Sequence, residues 1–300
     1  MAGNRPADEI TPTIISVKMK RTLHTAQEHN QRNTGFTRGT REIWQNRGLI
    51  RQMIKREVIG RYRGSMLGIV WSFFNPVFML LVYTFVFSVV FQARWGGGTE
   101  NKSEFAILIF SGMIVHSLFA ECISRAPGLI LSNVSYVKKV VFPLQILPVI
   151  TLGAALFHTL ISVGVLLLFY ALTHTQFNWT VVYLPLVILP YLLLILGISW
   201  FLAATGVFLR DVGQTTGILV TVLLFLSPVF YPVEAMPESY RPLLYLNPLT
   251  FTIEQVRDIL IWNRGPDWAG LALDMLAGTS IACAGLFWFQ KARKGFADVL

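Results

Sequence analysis

The residues able to do chemistry are sparse, and none of them assembles a reactive centre. No G-x-x-x-x-G-K-[ST] phosphate loop occurs in the 300 residues, so the chain does not hydrolyse nucleotide by that route itself. His116 and His158 lie in apolar stretches with no acid within a turn of either, which reads as packing rather than as a proton relay. A proton- or sodium-driven carrier needs buried acids, yet Glu121 and Asp274 fall near the ends of apolar segments. No metal-ligand spacing and no Ser/His/Asp set emerges. A membrane-bound acyl- or glycosyltransferase would need an acid and a histidine converging at one face, and His174 has no acid near it in the sequence. Cys122 and Cys283, in or beside apolar segments, are expected to pack without a disulfide.

The elements that hold these residues are membrane helices. At 54% hydrophobic and 14% charged, the composition excludes an ordinary soluble domain, which runs near a quarter charged. No Asp, Glu, Lys or Arg interrupts 64–93, 140–209 or 212–233, and a spanning helix needs only ~20 apolar residues. The 70-residue run at 140–209 exceeds one crossing, so it must fold back at the polar stretch 173–180. The expected fold is an all-α integral membrane protein with six spans, at about 66–91, 105–121, 142–172, 181–209, 212–230 and 268–290.

Residues 1–40 are polar and expected to form a flexible cytoplasmic tail, with no apolar core of signal-peptide length at the start. Over 43–62, Ile50, Met53, Ile54, Val58 and Tyr62 recur at helical spacing while Arg47, Arg51 and Lys55 step by four on another face. That pattern predicts an interfacial amphipathic helix lying on anionic lipid. Segment 234–267 carries acids and prolines, yet Leu243, Leu246, Leu249 and Ile253 make it too apolar for a free loop. Broken at Asn247-Pro248, it is expected to form two short re-entrant helices between spans five and six.

A net charge of +9 would suggest nucleic acid in a soluble chain, but in a membrane chain the position of each base matters more. With both termini cytoplasmic, twenty Lys and Arg lie inside, thirteen of them before residue 66, and five outside. The positive-inside rule therefore sets both termini in the cytoplasm. Arg210 and Asp211 end span four; anchoring explains the base but not the acid, and a pairing of Asp211 with Arg61 or Arg63 would tie the interfacial helix to the bundle.

Several stretches share one pattern: Arg61-Tyr-Arg-Gly-Ser-Met-Leu-Gly-Ile-Val-Trp71 with Asn75-Pro76, Lys138-Lys-Val-Val-Phe-Pro143, Phe208-Leu-Arg-Asp-Val212, Ser227-Pro-Val-Phe-Tyr-Pro232 and Asn247-Pro248. Over residues 43–290 the chain resembles the ABC-2 membrane subunits that export bacterial polysaccharides, the O-antigen, capsule and teichoic acid permeases. The resemblance implies an ABC-2 transmembrane domain over 41–300 in the bacterial inner membrane, forming a homodimer with two copies of a separate ATPase. ATP and Mg would belong to that ATPase, with no cofactor in this chain. The cargo implied is a lipid-linked polysaccharide, and the nearest alternative is a drug or small-lipid efflux permease of the same superfamily.

The resemblance also makes 124–139 the coupling segment that docks on the ATPase, with Arg125, Leu129, Tyr136, Lys138 and Lys139 as its candidate residues. Leu129, Ile130, Val134 and Tyr136 give it more apolar surface than a free loop carries. Spans one and five are implied to face the path, which gives their aromatics a reading beyond lipid contact. Flat rings pack on the C–H faces of sugars, so Trp71, Phe74, Tyr83, Phe87, Phe230 and Tyr231, with Asn75, would pass a polymer without gripping one unit.

Overall fold

The computed structural model describes residues 35–90, 102–138, 142–174 and 178–300. The polar chain before residue 35 and Lys139 lie outside the described residues.

The described residues are helical and contain no strand. Helix α1 (Gly35–Gln45) leads into α2 (Arg47–Arg61), whose Ile50 and Val58 are buried while Arg51 is exposed. Ile54 packs onto Gly153 so closely that a side chain there would fall on the isoleucine. Two glycines then turn the chain into the first apolar helix: Gly64 and Gly68 have φ of 88° and 52°, a region closed to most side chains. A short turn at Gly68–Val70 opens α3 (Trp71–Tyr83), which runs on into a π-helical stretch at Thr84–Val90.

Four longer helices follow: α4 (Lys102–Arg125), α6 (Ile146–Thr173), α7 (Leu184–Phe208) and α11 (Trp268–Ala292). Between α4 and α6 lies the five-residue α5 (Val134–Lys138). Together these elements give five helices long and apolar enough to cross a membrane: Gly68–Phe87, Glu104–Gly128, Ile146–Thr173, Trp179–Phe208 and Trp268–Val299.

The element expected as a fifth span is shorter than its apolar run. Helix α8 (Val212–Leu226) has 15 residues, about 22 Å at 1.5 Å per residue, against ~30 Å of hydrocarbon. The cause is local. Ser227 turns extended ahead of Pro228, and a residue before proline is driven out of the helical region. Composition does not register this break, because 227–233 stays apolar.

The segment that follows divides at Asn247-Pro248 as expected, into α9 (Arg241–Tyr245) and α10 (Pro248–Leu260). The Asn247 side chain caps α10 by accepting from the Leu249 N–H at 3.0 Å, and its amide donates to Ser227 Oγ at 2.8 Å and to the Leu226 carbonyl oxygen at 3.2 Å. One asparagine thus satisfies the helix start and the broken end of α8. A short C-terminal helix, α12 (Phe296–Val299), buries Phe296 among the ends of α6, α7 and α11.

Helix α4 is the hub, with 78% of its apolar window buried, and the tightest contact is α7 on α11. Small residues permit that approach: a Cβ on Gly278 would lie 2.5 Å from the Pro190 carbonyl oxygen, and one on Gly197 2.5 Å from the Ile281 backbone.

Candidate functional site

A cleft of about 370 Å³ opens where the end of α2, the first span, α4 and α6 meet. Helical spacing assembles its walls. Trp71, Asn75, Met79 and Tyr83 recur every four residues along one face of α3, opposite Ser117 and Glu121 of α4 and His158 of α6. Ser117 is exposed on a helix that is otherwise almost wholly buried, because its side chain faces the cleft.

At its mouth four charges interlock. Glu57 and Arg61 lie four apart on α2, and Glu121 and Arg125 four apart on α4, so crossing the helices brings opposite signs together. Arg61 Nη1 donates to Glu121 Oε1 at 2.7 Å, Arg125 Nη1 lies 3.7 Å from the same oxygen, and Arg125 also pairs with Glu57. The arginine side chains are 50% and 43% exposed, which limits each pair to about 0–1 kcal/mol. The quartet therefore orients α2 on α4 more than it stabilises the fold. Deeper in, the Tyr62 hydroxyl lies 3.3 Å from His158 Nδ1, and burial raises the Tyr62 pKa above its ordinary value, keeping it a neutral hydroxyl.

The structure divides the residues singled out in the sequence. Trp71, Asn75 and Tyr83 converge on the cleft. Phe87 stacks on Phe230 with centroids 5.8 Å apart, and the Tyr231 hydroxyl donates to the Phe225 carbonyl oxygen at 3.0 Å, forming a second aromatic group beyond the end of α8. Phe74 belongs to neither; it points outward, 49% exposed. Ile50 and Ile54 pack inward as an amphipathic helix requires, with Arg51 outside.

Asp211 lies at the end of the fourth span as expected, but the suggested pairing with Arg61 or Arg63 is not made. The Arg61 guanidinium is engaged by Glu121, Arg63 is exposed, and Arg210 and Asp211 lie exposed in the turn between α7 and α8, with no ion pair to Asp211 among the described residues. That turn is held beside Pro127 instead: a Cβ on Gly206 would strike the Pro127 carbonyl.

The 124–138 stretch also departs from expectation, because its apolar side chains face the bundle. Leu129 is 8% exposed and Ile130 fully buried, while Tyr136 stacks on Phe142 at 4.5 Å and accepts a hydrogen bond from Arg56 Nη2 at 3.0 Å. The outward face is polar: Ser124, Arg125, Gly128, Ser132, Ser135 and Lys138, with the Lys138 ammonium donating to the Leu300 carbonyl oxygen. An apolar loop surface looks identical in sequence whether it meets a partner or its own helices. Leu129→Asp is accordingly expected to lower the amount of folded protein in the membrane by roughly tenfold, since an unpaired carboxylate replaces a core side chain. Ser132→Asp, on the exposed face, should leave it unchanged; immunoblots of washed membranes compare the two.

Sequence reasoning missed Glu57, Ser117 and Arg257. The spacing of Glu57 to Arg61 and of Glu121 to Arg125 was a readable signal. Arg257 is one of the five bases expected on the outer side; it is 4% exposed and donates to the carbonyl oxygens of Leu108, Pro228 and Val229.

The chain is similar to known proteins over most of its length. Residues 48–261 match the family described as ABC-2 type transporter. The chain is 31% identical over 261 residues to the O-antigen export system permease protein RfbA of Myxococcus xanthus, covering 86% of this chain and 97% of the relative. It is 24% identical over 243 residues to a Klebsiella pneumoniae protein of the same name, covering 80% and 90%. The polysialic acid transport protein KpsM of Escherichia coli is 25% identical over 233 residues, 76% of this chain and 86% of that one.

Proposed function

The chain belongs to the ABC-2 type transporter family, and from that premise we propose that it is the membrane-spanning permease subunit of an ATP-driven exporter of O-antigen-like polysaccharide. The observation that carries the reading is the match over nearly the full length of an O-antigen export permease, extending through the cleft and the aromatic group beyond α8. Energy then comes from a separate ATPase subunit, where ATP and Mg bind. Two copies of the permease work with two of the ATPase in the bacterial inner membrane, both termini cytoplasmic. Helix α8 completes a sixth crossing together with 227–232, and α9 and α10 re-enter from the outer side.

The exposure pattern favours a paired arrangement. Only 17% of the apolar window in Gly68–Phe87 is buried, against 78% in Glu104–Gly128, and Phe73, Phe74, Phe78 and Phe85 face outward from it. Helix α8 likewise exposes Ile218, Leu219, Val222 and Phe225. A span so little used by its own bundle is free to meet a second copy and the polymer. Docking of the ATPase falls to the polar face of 124–138. Its movement reaches α2 through Arg125 with Glu57 and Tyr136 with Arg56, and so reaches the mouth of the cleft.

Deleting the gene should abolish surface polysaccharide, and the wild-type chain should restore it. Leucine at Trp71, Phe74, Tyr83, Phe87 or Tyr231 keeps apolar burial while removing the flat ring. Surface polysaccharide per permease molecule should fall severalfold at Trp71, Tyr83 and Phe87 with membrane levels normal; unchanged export at all five positions would falsify the aromatic path.

A further inference from the structure

The acid that the sequence does not place beside His174 is supplied in space by Glu104. His174 closes α6 and Glu104 lies in the first turn of α4, with the imidazole Nε2 standing 3.6 Å from Glu104 Oε1. Two further contacts fix the ring. It stacks on Tyr170 with centroids 4.3 Å apart and planes 7° off parallel, and its Nδ1 lies 2.9 Å from Thr173 Oγ1. Thr173 has a single hydroxyl proton and directs it at the carbonyl oxygens of Phe169 and Tyr170, 3.0 and 3.2 Å away, so toward the imidazole its oxygen accepts. Nδ1 therefore carries a proton, and in the neutral ring Nε2 is a bare lone pair aimed at a carboxylate. The contact attracts only when a second proton sits on Nε2. Glu104 asks for the same charge: its Oε2 is buried with no hydrogen-bond partner among the described residues, a cost that a facing cation offsets.

We infer that Glu104 and His174 form a proton-operated latch between the outer ends of α4 and α6, closed by a protonated imidazole and released by a neutral one. Histidine is the side chain that ordinarily changes charge between about pH 5 and 8, and the His174 side chain is 24% exposed, so water delivers the proton. The pair attracts at the acid end of that range and is lost as the pH rises through it. No ring nitrogen is left over for a substrate, which separates the pair from a catalytic base. The effect of the latch extends to α10. The Asn178 amide donates to the Tyr170 hydroxyl at 3.0 Å and to the carbonyl oxygens of Leu260 and Ile261 at 3.0 and 3.1 Å, and Thr180 donates to that of Ile259 at 2.6 Å. Loosening α4 from α6 therefore loosens the ring that helps to hold the end of α10. The other titratable groups on these elements are engaged elsewhere. Tyr183 rests on Trp268 with centroids 6.0 Å apart, Asp258 pairs with Arg264 at 3.6 Å, Glu254 neighbours Glu234, and Arg257 is held by backbone carbonyls. Glu121 and His158 belong to the cleft at the other ends of α4 and α6. The outer placement rests on the orientation proposed above, whereas the proton dependence does not.

Hydrogen exchange of the full chain in detergent reads the latch. The amides of Ala106 to Ile109 donate to the first-turn carbonyls of α4, and the His174 amide donates to that of Tyr170. After correction for the intrinsic pH dependence of exchange, both sets should exchange about threefold more slowly at about pH 6 than at about pH 8. The amides of Gly278 to Leu286 in α11, remote from the pair in the chain, should show no such difference. His174→Phe keeps a ring on Tyr170 and removes both nitrogens, so protection should be low and equal at the two pH values. Glu104→Gln makes the opposite prediction. Its amide donates to a neutral Nε2 and its carbonyl oxygen accepts from a protonated one, so protection should be high at both. Equal exchange of the wild type at the two pH values, or a wild-type ratio persisting in either variant, would overturn the latch. The wild-type comparison decides by itself should a variant fail to accumulate. Surface polysaccharide in the gene deletion tests export separately, so failure of the latch and failure of the export reading are read from different measurements.

Discussion

Gly285→Leu is expected to remove the folded protein from the membrane. Helices α7 and α11 approach so closely that a Cβ on Gly285 would fall onto the Gly197 carbonyl oxygen, and the atoms in the way are backbone, which no rotamer change can move. Overpacking against side chains costs about 1–3 kcal/mol, and here the helices must separate, losing dispersion along their whole contact. Lipid offers no hydrophobic drive to bring them back, since acyl chains are as apolar as leucine. Gly285→Ala should reduce the membrane level several-fold and Gly285→Leu to less than about a tenth, the loss exceeding typical single-site effects. Gly164→Ala provides the contrast. Nothing lies within 4 Å of a Cβ there, so it should gain about 1 kcal/mol of helix propensity and accumulate normally. Thermal melts of the three variants in detergent measure the order, and a Gly285→Leu protein melting with the wild type would contradict the packing described for α7 and α11.

The same comparison of side chain and backbone explains what could be read from the sequence. Charge-free runs located the long helices, because lipid penalises every uncompensated charge whatever the tertiary packing. The break ahead of α10 was visible as Asn247-Pro248, since it is local backbone chemistry, whereas the turn into the first span at Gly64 and Gly68 was not read from the sequence. Partner choice was another matter. Arg61 could meet Asp211 or Glu121 by charge alone, and only the crossing of α2 over α4 selects Glu121. Leu129 looked like docking surface because a sequence carries no record of which side of a short turn faces the bundle; Gly206, which lets Pro127 against α7, decides that it faces inward. The end of α8 was missed for a different reason. Hydropathy averages over 227–233, whereas the helix is broken by one residue preceding one proline.

Arg257→Met is the substitution for which opposing terms are both large. Burying a guanidinium is expensive, and replacing a buried charge with an apolar side chain of similar length is often neutral or stabilising. The acceptors left behind decide the sign. Leu108 lies within α4, so its carbonyl keeps a helical partner when the arginine is gone. Pro228 and Val229 lie in the break after α8, where the guanidinium donates to their carbonyl oxygens at 2.6 and 3.0 Å and no backbone N–H among the described residues does so. Each orphaned acceptor costs about 1–3 kcal/mol, more where water is absent. Gly112 shows how closely the site is fitted, for a Cβ there would stand 3.0 Å from Arg257 Nη2 and 3.3 Å from Val229 Cα. The expected result is that Arg257→Met loses most of its folded protein, because two unpaired carbonyls together outweigh the desolvation that is relieved. Arg257→Lys should retain part of it, since one ammonium restores charge but cannot reach carbonyls on both α4 and the break with a planar fork. Gly112→Val should resemble Arg257→Met, by displacing the guanidinium without removing it. Melting temperatures of the solubilised variants give the ranking, and an Arg257→Met protein as stable as the wild type would show that desolvation, and not the carbonyls of Pro228 and Val229, dominates at this position.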